Sequence, residues 1–585
     1  MDTLVLNAIL QELQQQICPS RINTITQLEE YILILSLWNR QQECRLEISV
    51  DARFQYLFLT DEQPGNQAQV FGKFLQHHIK GGEIRKVSKP PFERVITFDI
   101  AKKDIDGSEL HYQLILEIMG RHSNVILLQQ QNQKILDSIR HVTAAQSSYR
   151  RIAPGALYVP PPIQKKRDPA TITQEQFQHL LTDYNKAKEQ SPNLQLWKYL
   201  IQHIQGLSPL LTKEIERGEP AQDDNAYWER FSTIVHAIMS AASVYQPTVF
   251  VERQTEGRDR PVALSALQLK QFTKDFRIHR LTFSSMSEAS AHYYHTLVNH
   301  QQRETLRTSL LRALGQRLTK QKKKREHLAA QQEQIERAEE YKHKGELLTA
   351  NIYQLQKGMK TASVLDYYQD EQPQIDIELD PRLTPSQNAQ RYFKRYNKLK
   401  QGKKVTQQRL LETCRAITYL EEVKFFLETA ETIEELQQFH TELHGAAQGS
   451  SQGKSRRKKQ KHDEPVQPFL RLLSSDGFPI YVGRNSREND LLTQRTAQPE
   501  DIWLHAHQAP GSHVLILNRD RRSDIPESTL REAAALAAYH SKLRKSGKAD
   551  VIYTRKKYVK KPKGSPPGLV IVSQFQTIRV TPEKQ

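Results

Sequence analysis

The densest group of residues that could do chemistry lies near the C-terminus, where Asp501, Trp503, His505, His507 and His513 fall within 13 residues. Imidazole and carboxylate groups are zinc ligands, but a tetrahedral site needs four of them in register, and this spacing supplies no clear fourth ligand. The alternation of positions 505 and 507 predicts a strand that places both imidazoles on one face. We therefore expect hydrogen-bonded structural or RNA-contacting histidines, and for the lone tryptophan packing is favoured over base stacking.

Sequence motifs of common active sites are absent. The chain has no GxSxG, HExxH or GxGxxG pattern, which would mark a nucleophilic serine, a zinc protease or a dinucleotide site. Cys18, Cys44 and Cys414 form no CxxC pair, so the sequence predicts neither a zinc ribbon nor a disulfide framework. We expect a non-enzymatic protein without a metal or cofactor, in a reducing compartment.

Basic charge is abundant and clustered. The 585-residue chain carries 84 lysines and arginines against 66 acidic residues, a formal net charge of +18. Between positions 542 and 563, ten basic residues accompany a single acid, Asp550. Such a cluster neutralises phosphates and releases counterions, so it predicts salt-sensitive binding to nucleic acid. Two smaller clusters are Arg317–Arg325, which also fits a solvated helix face, and Lys454–Lys461.

The first half of the chain contains the elements that must position such residues. Alternation with period two predicts strands over 44–50, 94–100 and 112–118, typical of an α+β module dominated by antiparallel strands. Residues 168–245 have helical patterns, with Gly206 and Ser208 between two of them. This is the layout of a helix-hairpin-helix, whose helix N-terminus can meet a phosphate; an ordinary interhelical turn is the alternative.

Long helices are predicted next. Leu311, Leu314, Leu318, Leu328 and Ile335 share a heptad frame, and a second series runs from 410 to 427 after an interruption. Two long helices around a small insert indicate an antiparallel coiled-coil arm with a structured tip. A low-complexity basic segment follows and is expected to be disordered. The chain then returns to mixed α/β, with strands at 503–505, 514–517, 551–554 and 568–573 and a helix from 525 through 543.

Several longer motifs are recognisable as a set. They are Glu117–Leu127, Ile135–Ile139, Gly345–Tyr353, Leu379–Phe393, Asn489–Thr493, Asp501–Val514 and Tyr553–Gly564. Together they resemble the NFACT family of ribosome quality control factors, in family order over essentially the whole chain. The chain is similar to the bacterial members rather than to the longer eukaryotic ones.

The resemblance implies an α+β multidomain fold. Its parts would be an N-terminal tRNA-handling module (1–165), a helix-hairpin-helix (168–245), a coiled-coil arm with a middle insert (246–445), a basic linker (446–465) and an α/β RNA-binding module (466–585). The first two would be similar to formamidopyrimidine-type DNA glycosylases. Those enzymes use an N-terminal proline as nucleophile, whereas Met1 is followed here by Asp2, so base excision is not expected.

The resemblance also implies the function. The protein would bind a large ribosomal subunit that still holds peptidyl-tRNA, recruit alanyl-tRNA and direct untemplated alanine addition to the stalled chain, with peptide transfer left to the ribosome. Expected partners are rRNA, tRNA-Ala and a small S4-type RNA-binding protein. The N-terminus MDTLVLNAIL has no secretion signal, and no window of 18 apolar residues occurs. We therefore expect a cytoplasmic protein without a membrane contact.

Site residues carry over by their match to the family motifs. The tRNA-binding set is Asp2, Glu93, Arg94, Glu117, Ile118, Met119 and Arg121. Glu93 replaces the expected aspartate, so its carboxylate sits one methylene further out, which bears on alanine specificity or tailing efficiency. The rRNA-binding set is Trp503, His505, His513, Lys542, Arg544, Lys545, Arg555, Lys556, Lys557, Lys560, Lys561 and Lys563.

Two other function classes compete with this interpretation. Some bacterial relatives carry a fibronectin-binding label, so a surface adhesin is the main alternative, and the missing export signal argues against it. A DNA-repair glycosylase is the second, and the missing proline argues against that.

Overall fold

The computed structural model describes residues 1–63, 69–162, 164–217, 224–240, 245–254, 258–369, 372–445, 469–520 and 524–583. These residues form two compact units, 1–301 and 302–585. No helix in these ranges carries a stretch apolar enough to cross a bilayer. The predicted mixed α/β, multidomain architecture is confirmed, whereas the predicted basic linker, including Lys454–Lys461, lies outside the described residues.

A nine-stranded sheet organises the first unit. Its strands are β1 (Ser20–Glu29), β2 (Ile32–Trp38), β3 (Glu43–Val50), β4 (Gln55–Thr60), β5 (Glu83–Ser88), β6 (Val95–Lys103), β7 (Glu109–Glu117), β8 (Asn124–Gln129) and β9 (Lys134–Ser138). They pair antiparallel in the order β4-β3-β2-β1-β5-β6-β7-β8-β9. The three strands that the alternation predicts correspond to β3, β6 and β7.

Two helices lie against this sheet, α1 (Thr3–Gln16) and α2 (Val70–Ile79). In α1 the apolar residues repeat at helical spacing, and Leu4, Leu6, Ile9 and Leu13 are all completely buried. Burial of each such side chain contributes roughly 1.5–3 kcal/mol, which fixes the N-terminus of the chain in the core.

The rest of the first unit is helical and then forms a small sheet. The helices are α3 (Gln174–Gln190), α4 (Leu196–His203), α5 (Pro209–Glu216) and α6 (Asp224–Met239). The antiparallel strands are β10 (Thr248–Gln254), β11 (Arg258–Ser265) and β12 (Ile278–Thr282). Phe177, Leu200, Leu211 and Phe231 from the helices share one apolar core with the large sheet.

Long helices dominate the start of the second unit, and the first of them begins in the first unit. They are α7 (Met286–Glu336), α8 (Ala338–Ala350), α9 (Pro385–Thr429) and α10 (Ile433–Gly445), with the hairpin β13 (Thr361–Leu365) and β14 (Gln374–Glu378) between α8 and α9. Leu310 and Leu427 share one apolar cluster, Lys322 pairs with Glu421 at 2.9 Å, and Gly345 lies against Phe393. Along these three pairs the residue numbers in α7 and α8 rise while those in α9 fall, so α9 runs antiparallel to α7 and α8.

The C-terminal part of the second unit is a sheet with one helix packed on it. Its elements are β15 (Leu470–Leu473), β16 (Pro479–Val482), α11 (Ser486–Leu491), β17 (Ile502–Ala506), β18 (Val514–Ile516), α12 (Glu527–Tyr539), β19 (Ala549–Arg555), β20 (Val559–Lys560), β21 (Ile571–Val572) and β22 (Gln576–Val580). The main sheet has the order β15-β16-β18-β17-β19-β22. Alanines of α12 pack on Leu504, Val514 and Val551.

The predicted helix end at position 543 is wrong. The helix α12 ends at Tyr539, and residues Lys542–Lys545 form a separate short 3-10 turn. Ser541 causes the break, because its hydroxyl accepts a hydrogen bond from the Leu543 amide at 3.1 Å and so caps the new turn. The first basic residues of the 542–563 segment therefore lie on a turn rather than on a helix face.

Candidate RNA-binding sites

A cavity of about 680 Å³ opens in the first unit where three segments meet. These are the N-terminus of α1, the loop 89–94 between β5 and β6, and the turn 204–208 between α4 and α5. Its lining includes Asp2, Glu93, Arg94 and Met119, four of the seven residues in the predicted tRNA-binding set. We call this space the first cavity.

Asp2 connects two of these segments. Its Oδ1 accepts a hydrogen bond from the Val5 amide at 3.0 Å, which caps α1, and its Oδ2 accepts one from the Ser208 hydroxyl at 3.1 Å. Ser208 is itself the cap of α5. Burial raises the pKa of the Asp2 carboxyl. The aspartate therefore fixes the start of α1 against the start of α5 and lines the cavity at the same time.

Glu93 and Arg94 are held from the other side. The Glu93 Oε1 accepts a hydrogen bond from Gln205 Nε2 at 2.5 Å, and the Arg94 carbonyl accepts one from the Ile118 amide at 2.9 Å. Gln205 was not singled out from the sequence. Its position beside the conspicuous Gly206-Leu-Ser-Pro turn was the signal available.

Gly206 must be glycine for two reasons. Its φ of +73° is in the left-handed region, and a Cβ there would lie 2.8 Å from both the Cβ and the carbonyl oxygen of Phe92. The loop 89–94 and the turn 204–208 therefore touch at the backbone. This close approach brings Glu93 within reach of Gln205.

A second cavity of about 520 Å³ shares Met119, Pro161 and Pro162 with the first. Its lining is basic: Arg121, His122, Arg140, His141 and Arg150 all contribute, and no acidic side chain is among the described residues that line it. Arg121, from the predicted set, is exposed here.

Several contacts hold Arg140 in the second cavity. Its guanidinium lies 3.8 Å from the Tyr31 ring centroid and donates to the carbonyls of Val50 at 2.9 Å and Arg121 at 3.3 Å. Its buried Nε has no hydrogen-bond partner among the described residues. No motif marks Arg140 in the sequence, because its partners are distant along the chain.

Glu117 and Ile118 do not line either cavity. The Glu117 side chain is 0% exposed and accepts two hydrogen bonds of 2.6 Å from Arg150 and one of 2.9 Å from the Tyr158 hydroxyl. Ile118 is 1% exposed. Neither side chain can contact RNA in this conformation. Glu117 instead ties the proline-rich segment 154–162 to the end of β7.

In the C-terminal part of the second unit, the rings of Trp503, His505 and His513 form one cluster, in which Trp503 and His513 are buried and His505 is partly exposed. Trp503 is 1% and His513 2% exposed, and the three ring centroids lie 5.0–5.7 Å apart. Thr493 Oγ1 lies 2.7 Å from His513 Nδ1. Burial lowers the pKa of His505 to about 4 and that of His513 well below its usual value, so both are neutral. Burial gives the Trp503 and His513 rings a packing role rather than a contact with RNA, whereas His505 is partly exposed.

The basic segment 542–563 lies at the surface but is not uniform. Arg555 and Lys557 pair with Glu500 at 3.0 and 3.2 Å, and Lys561 pairs with Asp490 at 2.6 Å. Arg544 lies over the Tyr539 ring at 3.9 Å, and Lys556 reaches the Val559 carbonyl at 3.5 Å. The acids come from outside the segment, so the sequence count of one acid overstates its free charge.

Five lysines of that segment are exposed and form no ion pair within the described ranges, Lys548 and four members of the predicted rRNA-binding set, which are Lys542, Lys545, Lys560 and Lys563. We call these four the lysine quartet. Exposed ammonium groups without a carboxylate partner are available for phosphates, and their charge is the strongest feature of this surface. No arrangement of three or more His, Cys, Asp or Glu side chains suited to a metal ion occurs in the described part of the chain.

Known proteins match this chain over almost its whole length. A family model described as the NFACT N-terminal and middle domains matches residues 2–463, and one described as the NFACT protein RNA binding domain matches residues 468–573. The "Rqc2 homolog RqcH" of Bacillus subtilis is 32% identical over 578 residues, covering 98% of this chain and 96% of that protein. The protein of the same name from Streptococcus pneumoniae D39 is 32% identical, covering 100% and 98%.

A solved structure is also similar. It is that of the fibrinogen binding protein from Staphylococcus aureus, which aligns with a TM-score of 0.41 at 26% identity, over 50% of this chain and 98% of that one. The motifs that run through the sequence, the family models that match almost its whole length and its full-length relatives agree: the chain belongs to the NFACT family.

Proposed function

We propose that this protein is a ribosome quality control factor. It binds large ribosomal subunits that carry peptidyl-tRNA, recruits alanyl-tRNA and directs untemplated alanine addition to the stalled nascent chain. The observation that carries the proposal is the match to NFACT domains and to RqcH proteins over nearly the full chain. The RNA-binding domain and the large excess of basic residues are consistent with it.

The first and second cavities are proposed to receive tRNA. Carboxylates of Asp2 and Glu93 accept hydrogen bonds from base or sugar donors, whereas Arg94, Arg121 and Arg140 donate to phosphates and base edges. The helix-hairpin-helix character of α4 and α5, and a glycosylase-like origin of this unit, belong to the same proposal: the turn at Gly206 presents the N-terminus of α5 beside the cavity.

The lysine quartet is proposed to bind rRNA, with Arg544, Arg555, Lys556, Lys557 and Lys561 at its edge. Because such contacts go to the phosphate backbone, they give affinity without base specificity, as a shape-reading contact with folded rRNA requires. The buried Trp503 and His513 would act indirectly, by packing beneath that surface with the partly exposed His505 beside them.

The protein's own chemistry is proposed to be positional. Both cavities present donors and acceptors for holding RNA, and peptide transfer is assigned to the ribosome. A cytoplasmic location, tRNA-Ala as the cargo and a small S4-type RNA-binding partner complete the proposal. The alternative of a fibronectin-binding adhesin would require surface exposure, which protease shaving of intact cells would reveal.

Co-sedimentation tests the proposal. The purified protein should pellet with free large subunits at physiological salt and not with intact ribosomes. If it fails to associate with large subunits under those conditions, the proposal is wrong.

A further inference from the structure

The loop 89–94 has few backbone hydrogen-bond donors. Pro90 and Pro91 have no amide hydrogen, so the loop cannot be held by the ladder bonds that fix the adjoining strands β5 and β6. Its carbonyl groups still need donors. The Glu93 amide supplies one weak turn bond to the Pro90 carbonyl at 3.2 Å.

Lys89 supplies the others. Its Nζ donates to the carbonyls of Pro90 at 2.8 Å, Pro91 at 2.7 Å and Glu93 at 2.9 Å. An ammonium group has three hydrogens, and three carbonyls surround it, so its donor capacity is fully used. Charge-assisted bonds of this length are the stronger class of hydrogen bond.

We propose that Lys89 is a positioning residue that holds Glu93 and Arg94 in the first cavity for tRNA. The inference rests on the proposed function, because it assigns Lys89 to the same site. Lys89 does not appear in the lining of that cavity and so acts through the loop rather than by touching RNA.

Three hydrogen-bonded groups hold the end of the loop 89–94 in place. The Glu93 carbonyl is bonded to Lys89, the Glu93 side chain to Gln205, and the next carbonyl, that of Arg94, to the Ile118 amide. Without the ammonium, the first of these anchors is lost, the Pro91 carbonyl loses its donor and the Pro90 carbonyl keeps only the weak bond from the Glu93 amide. Lys89 is partly buried, and burial lowers its pKa to about 7, so the ammonium form with all three hydrogens predominates below that pH.

The test replaces Lys89 by methionine (K89M), which keeps the aliphatic stem and removes all three donors. K86M is the matched control, because the Lys86 side chain is exposed on the adjoining strand β5 and forms no ion pair or hydrogen bond within the described ranges. We expect K89M to bind tRNA about tenfold more weakly, with association with large subunits and the melting temperature nearly unchanged. K86M should match the wild type within about twofold.

Hydrogen exchange of the unliganded full-length proteins provides a readout that does not depend on tRNA. Amides 92–94 should exchange at least about tenfold faster in K89M than in the wild type, while those of α1 stay protected. Unchanged exchange would overturn the clamp. If the wild type bound no tRNA at all, the proposed function would be wrong. The hydrogen-exchange result would still test whether Lys89 holds the loop 89–94.

K89R covers the case in which K89M does not fold. Arginine keeps a charged donor at this position, so K89R should retain tRNA binding within about threefold and protect amides 92–94. A folded K89R with the full loss of tRNA binding, or a K89M that binds like the wild type, would overturn the proposal.

Discussion

The first cavity and the lysine quartet handle charge in opposite ways. In the cavity, Asp2 and Glu93 each have a hydrogen-bond partner that fixes the side chain before any ligand arrives. The quartet lysines are exposed, and the structure gives them no carboxylate within the described ranges. A preorganised pocket discriminates between ligands by geometry, whereas exposed lysines attract any phosphate backbone. Under the proposed function, selectivity for one RNA would lie in the first unit and general ribosome affinity in the second.

The largest expected effect is the loss of unfolding free energy when one ion pair in each unit is broken. Replacing Glu117 by alanine (E117A) leaves the Arg150 guanidinium with no carboxylate partner beside the proline-rich segment, so we expect a loss of about 3–5 kcal/mol in the unfolding free energy of the first unit. Replacing Lys561 by alanine (K561A) breaks a pair in which both side chains are about a quarter exposed, at 24% and 28%, and should cost at most about 1 kcal/mol.

Hydrogen exchange of β7 and β20 in the intact protein measures both values. Y158F, which removes one donor to Glu117, should cost about 1 kcal/mol and serves as the control for a lost neutral hydrogen bond. Equal losses in E117A and K561A would show that the two regions do not differ in how their charges are held.

The second effect concerns the quartet itself. Changing Lys542, Lys545, Lys560 and Lys563 to alanine should weaken binding to rRNA about 10- to 100-fold at physiological salt. The slope of log affinity against log salt should become shallower by about 3, because each phosphate contact contributes about 0.7–0.9. Filter binding of large-subunit rRNA over a salt series measures both.

Lys557 offers an internal control for that experiment. Its ammonium lies 3.2 Å from Glu500, so K557A should change the salt slope less than K560A, which removes a lysine of the quartet. If the two single variants were equivalent, the ion pairs seen in the free protein would have no bearing on RNA binding.

The smallest effect concerns the pH dependence of stability at His505. The pKa of His505 is about 4 in the folded protein and about 6.5 when unfolded, so the unfolded chain binds more protons between those values. Stability that is present above pH 6.5 is therefore lost as the pH falls toward 4, by about 1–2 kcal/mol at pH 5. Exchange of the β17 amides at pH 7 and pH 5 measures it, and H505N should flatten the dependence.

The same histidine separates packing from RNA contact. A neutral imidazole cannot neutralise a phosphate, so H505N should leave the salt slope of rRNA binding unchanged between pH 6 and 8. A slope that became shallower in H505N would return His505 to the RNA-contacting set.

Sequence patterns predicted the elements of the fold well where the signal is local. Alternation marks β3, β6 and β7, helical spacing marks α1, and the heptad leucines mark α7 and α9. The end of α12 was missed because Ser541 ends it through a side-chain cap, and the serine carries no signal in an alanine-rich helical pattern. Long-range pairing, such as β1 with β5 in one nine-stranded sheet, has no counterpart in local periodicity.

The same difference between local and long-range signals applies to the sites. The family motifs identified Asp2, Glu93, Arg94 and Met119, and the fold brings these four to one cavity. The motif could not show that Glu117 is used by Arg150, which lies 33 positions further along the chain. Strand alternation at 503–505 does not tell which face another element covers, so the burial of Trp503 and the neutral state of His505 required the packed structure.

The central claim is that tRNA and rRNA are bound by different residues, and sequencing of RNA captured with the protein from cells tests it most directly. The wild type should enrich one tRNA species together with large-subunit rRNA. Replacing Glu93 and Arg94 by alanine should remove the tRNA, by about 100-fold, and keep the rRNA, whereas the quartet variant should lower the rRNA most. Loss of rRNA in the Glu93 and Arg94 variant, with tRNA retained, would contradict the account.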